Sequence, residues 1–259
     1  MKKTLLILAV TLGIAEGTFS QQAKISNTDF SAYFEKAYGQ YPSIPRGILE
    51  AVSFTNTHVQ HITHDVTTAE SCVGLPMYYG VMGLVLDGKN YFRNNLTTIS
   101  QLSGIPEQEI ISSPEKNIMA YAAAYAQEQN NFSAGGLLRN GKGEIELQIP
   151  TLISLSELPV NVSLENNFAM NTNLYSVLSF LNDGDNAQKY NFPEYKINLE
   201  KVFGEANYKI LSASSVTVSD YKITDENGNE YEFDNSIPQS QGNLKTDPTV
   251  LSTDYPPAI

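Results

Sequence analysis

Three histidines fall close together at His58, His61 and His64, with the only cysteine, Cys72, further along. Imidazole and thiolate groups at short spacing are what a zinc site uses. Here the i, i+3, i+6 spacing brings only neighbouring pairs together on a helix, and no Cys-x-x-Cys accompanies them. The other reading is a polar loop whose imidazoles hydrogen bond to a glycan. A nucleophile–base pair of Cys72 with His58 or His61 lacks an orienting Asp or Asn motif, and Cys72 is expected to be a small buried hydrophobe. No metal and no cofactor is expected.

Carboxylates nearby are the candidate general acids. Glu50 sits on an apolar helix and is expected to be a solvated helix charge. Asp65 and Glu70 lie in the Thr- and His-rich loop that follows, from which either could reach a cleft. Tyr78, Tyr79, Tyr91 and Phe92 flank the glycine-punctuated run Gly80–Gly88. Aromatic rings with a polar tip beside such a loop suit a sugar-binding wall, with ordinary core packing as the alternative. There is no tryptophan, so Tyr and Phe must supply any stacking surface.

These residues need a scaffold, and the chain reads as mainly α over 28–185. Phe30, Tyr33, Phe34 and Ala37 have helical spacing in a first helix, Thr28 to Tyr38. Ser43 is expected to cap a second, with Pro45 in its first turn, running through Ile48, Leu49 and Val52. Thr98-Ile-Ser-Gln101 matches a capping box, and Gly104 should stop that helix. Ser113 caps a long helix with Pro114 first and Ile118, Tyr121, Ala122 and Tyr125 on its inner stripe. Two apolar helical stretches follow, Ile149–Leu158 and Phe168–Leu181.

After Pro193 the texture changes. Ile210-Leu211, Val216–Val218, Tyr221–Ile223 and Tyr231–Phe233 read as short β-type runs, with turn chemistry at Glu226-Asn-Gly-Asn229. The expected organisation is therefore a helical domain over 28–185, a small β-rich segment over 195–235, and a linker-like tail over 236–259. The tail composition suggests the front part of a longer architecture.

Residues 1–20 read as an export signal. Lys2 and Lys3 precede an apolar run, Leu5–Ile14, and Thr18 and Ser20 are small residues before a cut near Ser20. The chain has 16 basic and 28 acidic residues; removing Lys2, Lys3 and Glu16 leaves 14 and 27, a net charge of −13. Such a chain repels nucleic acid and anionic membranes. The expected location is secreted or periplasmic, with no membrane insertion after cleavage. One cysteine allows no intrachain disulfide, so packing alone must hold the core.

Three segments, in order, carry a resemblance. Ile48-Leu-Glu-Ala-Val-Ser-Phe-Thr-Asn56-Thr resembles the helix that ends in a Glu-Ser pair in lytic transglycosylases of the lysozyme-like superfamily. Gly80-Val-Met-Gly83-Leu84 resembles that family's Gly-Ala-Met-Gly-Leu-Met segment, and Ser113-Pro-Glu-Lys-Asn117-Ile resembles its Asp-Pro-Glu-Asn-Ile helix start. The resemblance spans residues 28–185. More narrowly, the chain resembles the N-terminal region of secreted Gram-negative N-acetylmuramoyl-L-alanine amidases, upstream of their zinc amidase domain.

The resemblance implies a lysozyme-like fold with peptidoglycan glycan strands as partner. It implies a cleft formed by Asn56, Tyr78, Tyr79, Gly80, Met82, Gly83 and Tyr121. It also places Asn56 where the family carries its acidic glutamate, and an amide has no titratable proton to give. The expected function is a peptidoglycan-binding domain without the family's usual acid. The alternatives are a muramidase or transglycosylase using a displaced carboxylate, with Glu70 and Asp65 as substitutes, and a ligand-free structural prodomain. Glu50, six residues before Asn56, is turned away by about 240° on the helix.

Overall fold

A computed structural model describes residues 24–26, 29–64, 76–89, 91–134, 145–160, 163–219 and 221–237. The described chain is mainly α. Its helices are α1 (Ser31–Gln40), α2 (Ile48–Thr57), α3 (Asn95–Ser103), α4 (Glu107–Ser112), α5 (Pro114–Ala134), α6 (Ile149–Leu155), α7 (Leu164–Leu181), α8 (Gly184–Tyr190), α9 (Leu199–Phe203) and α10 (Glu205–Leu211). Its strands form antiparallel pairs: β1 (Lys24–Ser26) with β2 (His61–Thr63), β3 (Met77–Tyr79) with β4 (Leu84–Leu86), and β5 (Val216–Ser219) with β6 (Lys222–Asp225).

The long helix α5 is the hub. It packs against α1, α3, α4 and α6, while α2 packs against α7. Ala120, Ala122 and Ala124 are fully buried, and small side chains let neighbouring backbones come close. Tyr125 is fully buried as well, and its hydroxyl donates to Gln148 Oε1 at 3.1 Å, so its one polar group is satisfied. Ser113 caps α5, accepting from Lys116 N at 3.3 Å.

Several local expectations are corrected. Ser43 does not cap α2. The chain instead turns through Gly47, whose φ of 91° opens the helix at Ile48. A Cβ on Gly47 would also lie 2.7 Å from the Phe192 ring, so only glycine fits. Thr98 does not open α3. The helix already begins at Asn95, and Thr98 lies inside it with its hydroxyl directed at Asn94 O. Gly104 does end α3, with φ of 70°.

Over the expected β-type segment 195–235, residues 199–203 and 205–211 are helical, and Tyr231–Phe233 forms no strand. Ile210-Leu211 closes α10 rather than forming a strand. Two polar devices favour helix here. Asn198 caps α9 by accepting from Lys201 N at 2.9 Å, and Glu205 pairs with Lys209 one turn on. The β hairpin itself is β5–β6, and the turn at Asp225–Asn229 leads back to Tyr231, whose N–H donates to Ile223 O.

This C-terminal part is joined to the helices. Phe192, Ile197, Phe203 and Ile237 are buried in the same core as α1, α2 and α5. Tyr231 is buried with Ile210 and Ile223. Its hydroxyl lies 2.6 Å from Asn171 Nδ2, which donates to it, and it donates to Asn167 Oδ1 at 2.9 Å. Asn167 Nδ2 donates to Asp234 O at 2.9 Å. A seam of buried amides on α7 thus fixes the chain that follows the hairpin.

Candidate functional site

The site is built around the C-terminal half of α2. His58 and Val59 take left-handed backbone conformations, with φ of 54° and 58°, which end the helix and send the chain into β2. The side chains of Ser53, Asn56 and Thr57 then face the turn between β3 and β4. Ser53 Oγ and Thr57 Oγ1 donate to Val81 O at 2.9 and 2.6 Å, and Asn56 Nδ2 donates to Met82 O at 3.0 Å. From the other side, Asn117 on α5 accepts from Met82 N at 2.7 Å. Its amide donates to Ile110 O at 3.3 Å.

The two glycines of this turn are required by both backbone and space. Gly80 has φ of 75°, and a Cβ there would run into the Asn117 amide. Gly83 has φ of 65°, and its Cβ would sit 2.6 Å from Asn56 Cβ. So α2, the glycine turn and the start of α5 are drawn together at one point.

Beside this knot is a small pocket with room for a molecule about the size of water. Val52, Leu152 and Leu155 give it apolar walls. Asn56, Asn173, Ser156 and Glu157 give it polar ones, and Tyr121 and Asn95 complete it. The Asn56 amide nitrogen is committed to Met82, which leaves its Oδ1 without a protein partner among the described residues.

Glu157 is the group that sequence reasoning missed. It is only 3% exposed. Burial raises its carboxyl above the ordinary carboxylate range, against the opposing pull of its own backbone N–H, the Tyr78 hydroxyl and Arg93. Tyr78 donates to Glu157 Oε1 at 3.3 Å, and burial with this neighbouring charge pushes the phenol well up. Arg93 holds the loop. Its guanidinium donates to Leu158 O at 2.8 Å, to Ser154 O at 3.2 Å and to Ile153 O, and its own N–H donates to Glu157 O at 2.7 Å. A cation on the last carbonyls of α6 is a favourable helix end. Burial lowers the Arg93 value to about 10. One signal was visible: Glu157 is the only ionisable residue between Glu146 and Glu165, in an otherwise apolar stretch.

A second buried carboxyl lies at the other end of α2. Glu50, expected to be solvated, is 6% exposed. The helix has no side-chain cap of its own. The Tyr38 hydroxyl serves instead, accepting from Gly47 N at 2.9 Å and Leu49 N at 3.1 Å while donating to Glu50 Oε2 at 2.5 Å. Burial raises Glu50 to about 7, with the Tyr38 bond opposing. Arg46 lies over the Tyr38 ring, 5.3 Å from its centre.

The expected site residues are distributed as follows. Asn56 and Tyr121 line the pocket, and Tyr78 reaches it through Glu157. Gly80 and Gly83 shape the turn. The Met82 side chain is fully buried and Tyr79 is 7% exposed, so both serve the core. The Tyr79 ring meets His64 edge-on, with centres 5.3 Å apart. Asp65, Glu70 and Cys72 lie outside the described residues, as does the export segment 1–20. His58 is exposed, His61 is buried, and His64 bonds Tyr78 O at 3.0 Å. Among the described residues no group of His, Cys, Asp and Glu is placed to hold a metal ion. No helix described is long and apolar enough to cross a membrane.

Comparison with family models, curated proteins and solved structures finds no match for this chain.

Proposed function

We propose that this chain is an exported peptidoglycan-binding domain of lysozyme-like architecture that holds glycan strands for an N-acetylmuramoyl-L-alanine amidase. One observation carries the reading. The three segments that resemble the lytic transglycosylases, distant in sequence, meet through Asn56–Met82 and Met82–Asn117 hydrogen bonds. The glycines of the middle segment are needed for that meeting. A small pocket with polar and apolar walls opens beside Asn56. The acidic charge is compatible with a weakly charged glycan and opposes nucleic acid.

Sedimentation with insoluble peptidoglycan tests the reading. The purified chain should pellet with sacculi at moderate salt and stay in solution without them. A chain that remains in the supernatant in both cases defeats it.

A further inference from the structure

We propose that β5 is a self-association edge, on which a second copy of this chain pairs antiparallel through its own β5. The backbone of β6 shows which way the edge points. Ile223 O accepts from Tyr231 N at 2.9 Å, and Asp225 N donates to Asn229 O at 3.1 Å, so these two residues turn their backbone groups away from β5. Lys222 and Thr224 therefore face β5, opposite Ser219 and Thr217. The N–H and C=O groups of Val216 and Val218 point outward, and among the described residues no bond reaches them. Exposed edges in monomeric proteins carry a lysine, a proline or a bulge against pairing; Val-Thr-Val-Ser carries none.

The sheet face at this edge is also uncovered. Val218 lies opposite Ile223, on the face where Ile223, Ile210 and Tyr231 are buried with Val216 packed against them. Yet Val218 is 51% exposed, and Tyr221 at the hairpin tip is 80% exposed. Among the described residues these are the exposed large hydrophobic side chains.

A second copy fits this edge because β5 is complementary to itself. About a two-fold axis at Thr217, each Val216 exchanges both backbone bonds with Val218 of the second copy, and their side chains meet on one face. Each hairpin tip, with Tyr221, then lies beside residues 213–214 of the other copy. The same turn brings the exposed Lys222 end of each hairpin toward the exposed Glu226 end of the other. At physiological salt, charges more than about 8 Å apart are screened, so these local charges outweigh the net acidity of the chain. A strand pair this short gives a small interface, and the dimer forms only as concentration rises.

Sedimentation velocity of the full chain, from low to high micromolar concentration at physiological salt, tests this. Monomer should give way to dimer. Val218→Lys should weaken association at least about tenfold by putting a charge into the new strand pair. Lys222→Glu and Glu226→Lys should each weaken it at least about twofold, and the double reversal should restore it. Amide exchange of the wild-type chain supplies a readout that needs no variant. The Val216 and Val218 amides should exchange more slowly as concentration rises, while those of Thr217 and Ser219, already facing β6, change little. A monomer at every concentration overturns the proposal. So does a dimer that leaves Val216 and Val218 exchange unchanged, which would place the contact elsewhere. A double reversal no tighter than the single variants overturns the two-fold antiparallel arrangement.

Discussion

Glu50→Gln isolates the cost of a buried charge at the start of α2. Glu50 is 6% exposed and its carboxyl is raised from 4.5 to about 7, chiefly by burial. The folded chain therefore holds this proton more tightly than the unfolded chain does. The stability linked to it is fully present below about pH 4.5 and is lost as pH rises through about 7. At about 1.4 kcal/mol per pH unit, the gap is worth about 3 kcal/mol. For a domain of this size that is a change in Tm of about 6–12 °C.

Glutamine keeps an oxygen for the Tyr38 hydroxyl and cannot ionise. Its extra N–H₂ donors in a buried site cost about 1 kcal/mol. The variant should be less stable than wild type near pH 4.5 and more stable by about 2 kcal/mol near pH 8. Urea unfolding of both proteins at the two pH values measures this. The acidic surface gives both the same background dependence, so only their difference is read. Parallel pH profiles for the two proteins would refute the argument that Glu50 is desolvated.

Two further perturbations probe the knot. Gly80→Ala and Gly104→Ala both place a side chain at positive φ, which costs about 1 kcal/mol. Only Gly80 also faces the Asn117 amide, whereas nothing lies within 4 Å of a Cβ at Gly104. Gly80→Ala should therefore cost at least about 2 kcal/mol more by denaturant titration, and equal losses would remove the steric argument. Asn117→Ala strands the buried Met82 N–H and should cost about 1–3 kcal/mol, with faster amide exchange at Met82 measured by NMR. Unchanged exchange there would mean that another acceptor takes over.

Much of the helical frame was legible because periodic apolar residues and glycine stops act locally. The Ile118, Tyr121 and Tyr125 stripe faces the core of α5, and Gly104 ends α3 through its own backbone. What escaped was set by distant partners. Ser43 looked like a cap, but the first amides of α2 are satisfied by Tyr38 from another helix. Glu50 carries a charge and so looked solvated; its burial and its bond from the Tyr38 hydroxyl come from tertiary packing. Ile210-Leu211 has the composition of a strand, and the capped, ion-paired turns before it make it helical.

In the site, Asn56 and the glycine motif were visible from sequence, and their meeting point is a consequence of the tertiary fold. Glu157 was passed over because its motif is nondescript. Its significance comes from the pocket it enters and from Arg93, more than sixty residues earlier, which shapes its loop.

The amide seam between α7 and the segment after the hairpin bears on where this chain can be cut. A piece ending near residue 185 would uncover the faces that Phe192, Ile197, Phe203 and Ile237 fill. It would also leave Asn167 and Asn171 facing water in place of Tyr231 and Asp234. The small β hairpin, which sequence texture set apart from the helices, is thus the closing clasp of the helical body. The unit that can be moved intact into another protein extends at least to Ile237.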